Sequence, residues 1–527
     1  MWPKADPAAV ARWQALRFGM FIHWGPVSLT GKEIGWSRGG QTPVEVYDNL
    51  YHQFNPTNFD AAEWVSLAKA AGMKYIVLTT KHHDGFCLWD TKQTDYNIMN
   101  TPFHRDVVKE LAAACQQQGI ALGTYYSVCD WRHPDFPLTS PGGTVKREKS
   151  DLDAYNRYLL AQISELITNY GPLLTLWNDM PQMFEGRGAN TIKLVRSLQP
   201  DILINDRTGD GGDYGTPEQR IGGFKMDRPW ESCMTVSAHD AWAWGGAQDG
   251  VKSLAQCLEM VIRGAGGDGN VLLNVGPRPD GVIDPEQANR LKEIGVWLAK
   301  NGESIYETRS GPWKSSRDIA STRKGNLIYL HILHSADGQI DLPALPLKIK
   351  SARLLGGGKV KFSQENGRLI VTVPKTSLAA IDTIVCLELN GSALDIPAIT
   401  LGSTIKSSAS NVYNHQTADY GPQQAFDNDQ ETRWATDGGI KQAWIAATLD
   451  KPLTVQGVRI YEAVGERVQK FEFQYCDGQD WKTIFTGKKI GWRLEQKFAP
   501  VAAREFRLNI LEATDGPSIG DIEFIED

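Results

Sequence analysis

Residues 59–83, FDAAEWVSLAKAAGMKYIVLTTKHH, and residues 106–127, DVVKELAAACQQQGIALGTYYS, each run from a helical pattern through a glycine into an apolar, β-rich segment. Repetition of that unit predicts parallel strands joined by crossover helices. The unit extends in both directions. Further strand candidates are GMFIHW (19–24), LLTLWND (173–179), DILINDR (201–207), the segment around WESCMTV (230–236) and VLLNVG (271–276). Helical patterns fill the gaps at 155–171, 189–199, 253–264 and 284–302. Gly72, Gly119, Gly171 and Gly302 stand where left-handed helix stops are expected. Seven strands are counted and an eighth is left open, which predicts a (β/α) barrel over residues 1–305. Beyond it helical periodicity gives way to short alternating runs such as NLIYLHIL and TIVCLELN, predicting a β-sandwich over 306–398. The Ser/Thr-rich ITLGSTIKSSASN then leads into a second all-β region, 399–527.

Bulk properties narrow the function. A chain of 527 residues exceeds one hydrophobic core, and 41% hydrophobic with 22% charged residues is a globular composition. The net charge of -7 offers no basic footprint, so nucleic acid and anionic membrane are poor partners, and no apolar run is long enough to insert in a bilayer. Seventeen tryptophans suit a protein that stacks sugar faces on indole rings. The seven cysteines are an odd number without a CxxC pair, so at least one thiol is free.

In a parallel barrel the strand C-terminal ends carry the chemistry. Here they end in His23-Trp24, Lys81-His82-His83-Asp84, Tyr125-Tyr126-Ser127, Trp177-Asn178-Asp179 and Asn205-Asp206-Arg207. Hydroxyl-binding side chains, indole walls and carboxylates in one mouth suit a polyol ligand. Hydrolysis of an acetal with retention needs two carboxyls ~5–5.5 Å apart. Asp179, closing an apolar strand beside Trp177, is the nucleophile candidate. For the acid/base, Glu231 in Pro229-Trp230-Glu231 is preferred because desolvation beside an indole raises a carboxyl pKa, with Glu218 in Thr216-Pro217-Glu218-Gln219 as the alternative.

These residues carry a resemblance. RFGMFIHWG (17–25), KHHDGFCLWDTKQTDYN (81–97), GTYYSVCDW (123–131), LLTLWND, WESCMT and LLNVGPRPDG (272–281) together resemble the α-L-fucosidases of glycoside hydrolase family 29. The resemblance implies a retaining exo-α-L-fucosidase acting on fucosylated glycans through a covalent fucosyl-enzyme, with no cofactor for catalysis and a secreted or periplasmic location. It further implies Asp179 as nucleophile and Arg207 near it. His23, Trp36, His82, His83 and Tyr126 would contact sugar hydroxyls, and Phe21 and Trp177 would line the pocket for the methyl group. Glu231 fits a WE motif of the family. Two departures stand out: Asn178 where an aromatic commonly precedes the nucleophile, and Gly35 where some members carry a Glu. AFDNDQETRWAT (425–436) resembles discoidin-type carbohydrate-binding modules, which places Trp434 in a sandwich core. Ala425, Asp427, Asp429, Thr432 and Glu523 then form a candidate structural Ca²⁺ site of hard oxygen donors. Two other functions fit the same residues: a metal-dependent barrel hydrolase using His82, His83, Asp84 and Asp179, and a lectin-like glycan binder without catalysis.

Overall fold

The computed structural model describes residues 3–140, 145–181, 184, 186–335, 337–399, 405–427 and 432–525. It forms two compact units: Met1–Ile221 with Lys225–Pro397, and Ala398–Asp527 with Gly222–Phe224.

In the first unit seven parallel strands stand in the order β5-β4-β3-β2-β1-β7-β6. They are β1 (Phe18–Ile22), β2 (Tyr75–Lys81), β3 (Ala121–Ser127), β4 (Thr175–Asp179), β5 (Leu203–Ile204), β6 (Glu231–Thr235) and β7 (Asn270–Val275). Outer helices include α1 (Pro7–Leu16), α2 (Ala61–Ala70), α3 (Val107–Gln118), α4 (Leu152–Asn169), α5 (Gly188–Leu198), α6 (Leu254–Gly266) and α7 (Pro285–Asn301). Asp60, Asp106, Asp151 and Asp284 accept N-terminal amides of α2, α3, α4 and α7, and Ser253 with Gln256 forms a capping box on α6. Gly72, Gly119 and Gly171 adopt positive φ as expected. Gly302 does not: at φ -62° it carries α7 on into a 3₁₀ turn over Gly302–Ser304.

The missing eighth strand has a physical substitute. Between β5 and β6 the chain runs through RTGDGGDYGTPE, too rich in glycine and proline to hold a regular ladder. Residues 213–219 nevertheless extend along the gap. Asp213 N donates to Ile204 O at 2.7 Å, and parallel bridges join Asn205 to Tyr214, Gly215 to Trp230 and Glu218 to Cys233. This irregular stave completes the barrel wall and carries Glu218 at its C-terminal end.

Alternation along the staves sorts side chains to the two faces. Phe21, Tyr75, Val77, Tyr125, Trp177, Cys233 and Leu272 share an interior cluster, whereas Met20, Ile76, Leu78, Tyr126 and Leu176 pack in the outer core with the helices. Gly19 makes room inside, since a Cβ there would stand 2.5 Å from the Tyr75 ring.

The remainder of the unit holds a five-stranded sheet in the order β12-β15-β10-β9-β8 and a three-stranded sheet in the order β11-β14-β13. Their strands are β8 (Arg309–Ser310), β9 (Ile319–Lys324), β10 (Leu327–Ile332), β11 (Gln339–Pro343), β12 (Ile349–Leu354), β13 (Lys361–Glu365), β14 (Arg368–Thr372) and β15 (Thr383–Leu389). This β region belongs with the barrel to the first compact unit.

The second unit is antiparallel. Its long strands β18 (Ala443–Glu462) and β21 (Leu494–Ala513) pair over most of their length, with register shifts that bend them. β16 (Ile405–Ala409), β17 (Trp434–Ala435), β19 (Val468–Asp477), β20 (Asp480–Gly487) and β22 (Ser518–Ile525) complete the sheet. Trp434 is fully buried in its core with Phe471, Phe473 and Phe506, and its indole N–H donates to Asn411 O at 2.9 Å. All seven cysteines are unpaired. Among the described residues no helix is long and apolar enough to cross a membrane.

Candidate active site

The C-terminal ends of the barrel staves surround a cavity of about 410 Å³, counting its solvent-filled mouth. That is the scale of a single small ligand. It is lined by Phe21, His23, Trp36, His82, His83, Tyr125, Trp177, Asp179, Met180, Arg207, Glu218, Cys233 and Trp242.

Asp179, the last residue of β4, accepts from the Tyr125 hydroxyl at 2.8 Å and from Arg207 Nη1 at 2.9 Å. Burial pushes its carboxyl pKa up, but the Arg207 charge, with the hydrogen bonds from Arg207 and Tyr125, overcomes this and holds it below the ordinary carboxylate value. The same Arg207 Nη1 lies 2.9 Å from Glu218 Oε2. The two carboxylate oxygens therefore stand no more than twice that distance apart. Arg207 is fixed by the closing stave, donating from Nε to Thr216 Oγ1 at 3.0 Å and from Nη2 to Thr216 O at 2.9 Å.

The imidazoles are neutral and oriented. Ser127 Oγ donates to Cys129 O at 2.6 Å, so at its 2.7 Å contact with His83 Nδ1 it acts as acceptor. His83 consequently carries its proton on Nδ1 and keeps a lone pair on Nε2, which lies 3.8 Å from Asp179 Oδ2. Asn274 Nδ2 donates to Trp242 O at 2.7 Å, which turns its Oδ1 to accept from His23 Nδ1 at 2.6 Å. Burial pushes His23 down to about 3 and His83 down to about 4, and drives His82 well below its usual value. β2 ends at Lys81, so the strict alternation of faces lapses and both His82 and His83 reach the cavity.

Aromatic rings build the remaining walls. Phe21 packs 5.4 Å from Trp177 and 6.0 Å from Trp242 between ring centroids, and Trp36 stands 41% exposed at the rim, edge-on to His83. Gly35, at φ +66°, has no room for a side chain: a Cβ would lie 2.9 Å from His82 Nδ1.

Two expected site residues lie elsewhere. Tyr126 registers with Asn178 on the outward face, is fully buried, and donates to Gln162 Oε1 at 2.8 Å; the tyrosine in the cavity is Tyr125. Glu231 is the first residue of β6, at the opposite end of the barrel from the mouth, and is 0% exposed. It accepts from the Tyr75 hydroxyl and from Trp177 Nε1 at 3.1 Å, so it lies beneath the indole that walls the cavity. Burial raises it to about 7 against those two hydrogen bonds. Asn178 also faces outward, which removes it from the cavity. Trp242 was missed by sequence reading, since AWAWGG in the loop after β6 has no periodicity to place it.

In the C-terminal unit Thr432 Oγ1 lies 2.8 Å from Asp427 Oδ2 and 3.2 Å from Gln424 O, a group of oxygen donors of the type a hard cation takes. Ala425 is buried beside them, Glu523 is ion-paired to Arg459 at 3.3 Å, and Asp429 lies outside the described residues. Among the described residues no three His, Cys, Asp or Glu side chains are placed to share an ion.

A family model described as Alpha-L-fucosidase matches residues 1–303, and one described as F5/8 type C domain matches residues 404–524. The tissue alpha-L-fucosidase of Rattus norvegicus is 30% identical over 417 residues, covering 71% of this chain and 88% of its own. The plasma alpha-L-fucosidase of Homo sapiens is 30% identical over 424 residues, covering 72% and 88%. Alpha-L-fucosidase isoenzyme 1 from Paenibacillus thiaminolyticus superposes with a TM-score of 0.67 at 35% identity, over 72% of this chain and 99% of that one. A GH29 alpha-L-fucosidase from Bacteroides thetaiotaomicron, trapped as a covalent intermediate with 2-fluoro-fucosyl fluoride, superposes with a TM-score of 0.67 at 26% identity, over 74% and 98%.

Proposed function

The chain belongs to the alpha-L-fucosidase family and is a glycoside hydrolase, and we propose that it is a retaining exo-α-L-fucosidase with Asp179 as nucleophile and Glu218 as acid/base. The observation that carries this reading is the shared Arg207 nitrogen, which sets the two carboxylates at a separation compatible with the ~5–5.5 Å of retaining enzymes. Asp179, held ionised, attacks the anomeric carbon while Glu218 protonates the departing glycosidic oxygen. Once Asp179 is esterified its charge is gone, and Arg207 faces Glu218 alone in the step where Glu218 acts as a carboxylate base toward water. The lone pairs on His23 and His83 Nε2 accept hydrogen bonds from sugar hydroxyls, and Phe21, Trp177 and Trp242 receive the apolar edge bearing the methyl group. A lectin would need neither carboxylate. Secreted or periplasmic placement, that is, export from the cytoplasm, draws support from the plasma designation of one relative, and cell fractionation tests it.

The decisive experiment follows an aryl α-L-fucoside. Asp179→Ala should lose on the order of 10⁴-fold or more in kcat, and azide should restore cleavage with formation of a fucosyl azide. The first-formed sugar from the wild type should be the α-anomer by NMR; an initial β-anomer, or a fully active Asp179→Ala, overturns the reading.

A further inference from the structure

We propose that Gln219 is a positioning residue for Glu218, holding the end of the closing stave in a left-handed turn that leaves the Glu218 carboxylate at the rim beside Asp179. This rests on the reading of Glu218 as acid/base.

The carboxylate of Glu218 is 43% exposed, so packing does not place it. Its backbone does. Cys233 N donates to Pro217 O at 3.0 Å and Gln219 N donates to Cys233 O at 2.9 Å, which pins the peptides on both sides of Glu218 to β6. Gln219 then adopts φ +52°, a region that residues with a Cβ seldom enter. Such a turn directly after a stave end sends the chain away and leaves the preceding side chain at the edge. It persists only where the surroundings over-determine it.

Those surroundings are present. The Gln219 side chain is buried, donating from Nε2 to Thr235 Oγ1 at 3.2 Å and to Asp240 O at 3.3 Å, and accepting from Thr235 N at 3.3 Å. Lys252 Nζ braces that platform with bonds to Thr235 O at 2.9 Å, Ser237 O at 2.6 Å and Asp240 Oδ1 at 2.7 Å. The nucleophile carries the same device. Met180 follows Asp179 at φ +53° and returns its N–H to Asp179 Oδ1 at 2.9 Å. Only ten non-glycine residues among those described have positive φ, and two of them directly follow the two carboxylates that line the cavity. Each of the two carboxylates of the cavity is thus followed by a left-handed turn.

The test compares wild type, Gln219→Ala, Gln219→Asn and Glu218→Gln on a dinitrophenyl α-L-fucoside, whose leaving group needs no proton, and on the methyl α-L-fucoside, whose leaving group does. Gln219→Ala should lower kcat about tenfold or more on the methyl glycoside and less than about threefold on the aryl one. Gln219→Asn, an amide more at ease in the left-handed region, should recover part of the loss. The ratio between substrates is independent of the folded fraction, so misfolding cannot imitate the result. An equal loss on both substrates, or none, overturns the proposal. If Glu218→Gln is selective for the methyl glycoside while Gln219→Ala is not, the positioning role alone falls. If Glu218→Gln itself is unselective, the acid/base reading falls and takes the proposal with it.

Discussion

Glu218 and Glu231 sit on neighbouring parallel staves of one barrel, and their surroundings could hardly differ more. Glu231 opens β6 at the floor, with both oxygens engaged by Tyr75 and Trp177 and no exposure to solvent. Glu218 ends the adjoining stave at the mouth, partly exposed and bound to the arginine that also holds Asp179. Position along the stave therefore decides which carboxylate lines the cavity and which is buried beneath it. A raised pKa is no guide to catalysis by itself: the floor glutamate has it through burial, outside the lining of the cavity.

The largest expected difference between the two is catalytic. Glu218→Gln should cost about 10²–10⁴-fold in kcat on substrates with poor leaving groups, with little change in melting temperature. Glu231→Gln should stay within about one power of ten in kcat, since it reaches the cavity only through Trp177. A Glu231→Gln variant crippled on poor leaving groups while Glu218→Gln cleaves them normally would reverse the comparison.

Much of this was legible in the sequence and some was not, for identifiable reasons. The barrel follows from the regular succession of helical and strand periods, and the placement of Asp179 in the cavity follows from an apolar strand ending in a carboxylate. The desolvation argument for Glu231 named the right physics and the wrong tryptophan: the neighbour in sequence, Trp230, hydrogen-bonds to Gly267 O, and the ring that touches the carboxylate is Trp177. Glu218 lies in a Gly/Pro-rich stretch that reads as loop, and only the backbone bonds to Ile204 and Cys233 reveal it as a stave. Tyr126 was a choice of parity. β3 alternates faces, and the register Tyr125 to Trp177 and Tyr126 to Asn178 settles which tyrosine shares a side with Asp179.

The second difference concerns stability against pH. Burial raises Glu231 to about 7 from an ordinary 4.5, so between those values the folded chain retains a proton that the unfolded chain releases. Stability is therefore full below about pH 4.5, falls as pH rises toward 7, and is level above it, a loss of about 3 kcal/mol. Glu231→Gln keeps a neutral group in place and removes this slope. Thermal unfolding of both proteins at about pH 5 and about pH 8 should show the wild type losing its advantage at the higher pH; parallel curves would mean that the floor carboxylate is ionised throughout.

The smallest effect separates the two tyrosines of β3. Tyr125 donates to Asp179 Oδ2, a hydrogen bond to a charged acceptor worth about 1.5–3 kcal/mol, whereas Tyr126 bonds the neutral Gln162 Oε1 in the outer core. Tyr125→Phe should lower kcat about tenfold, because Asp179 loses one of the donors that orient it and keep it ionised, and should lower stability by up to the value of that hydrogen bond. Its acid limb should also move to higher pH, since removing a hydrogen bond to the charged form raises the Asp179 pKa. Tyr126→Phe should leave kcat and the pH profile alone and lower stability by about 1 kcal/mol, the cost of stranding the Gln162 acceptor. Measured side by side, the pair tests the inward and outward faces of a single strand one residue apart. If Tyr126→Phe shifted the pH profile and Tyr125→Phe did not, the register that places Asp179 in the cavity would itself be wrong.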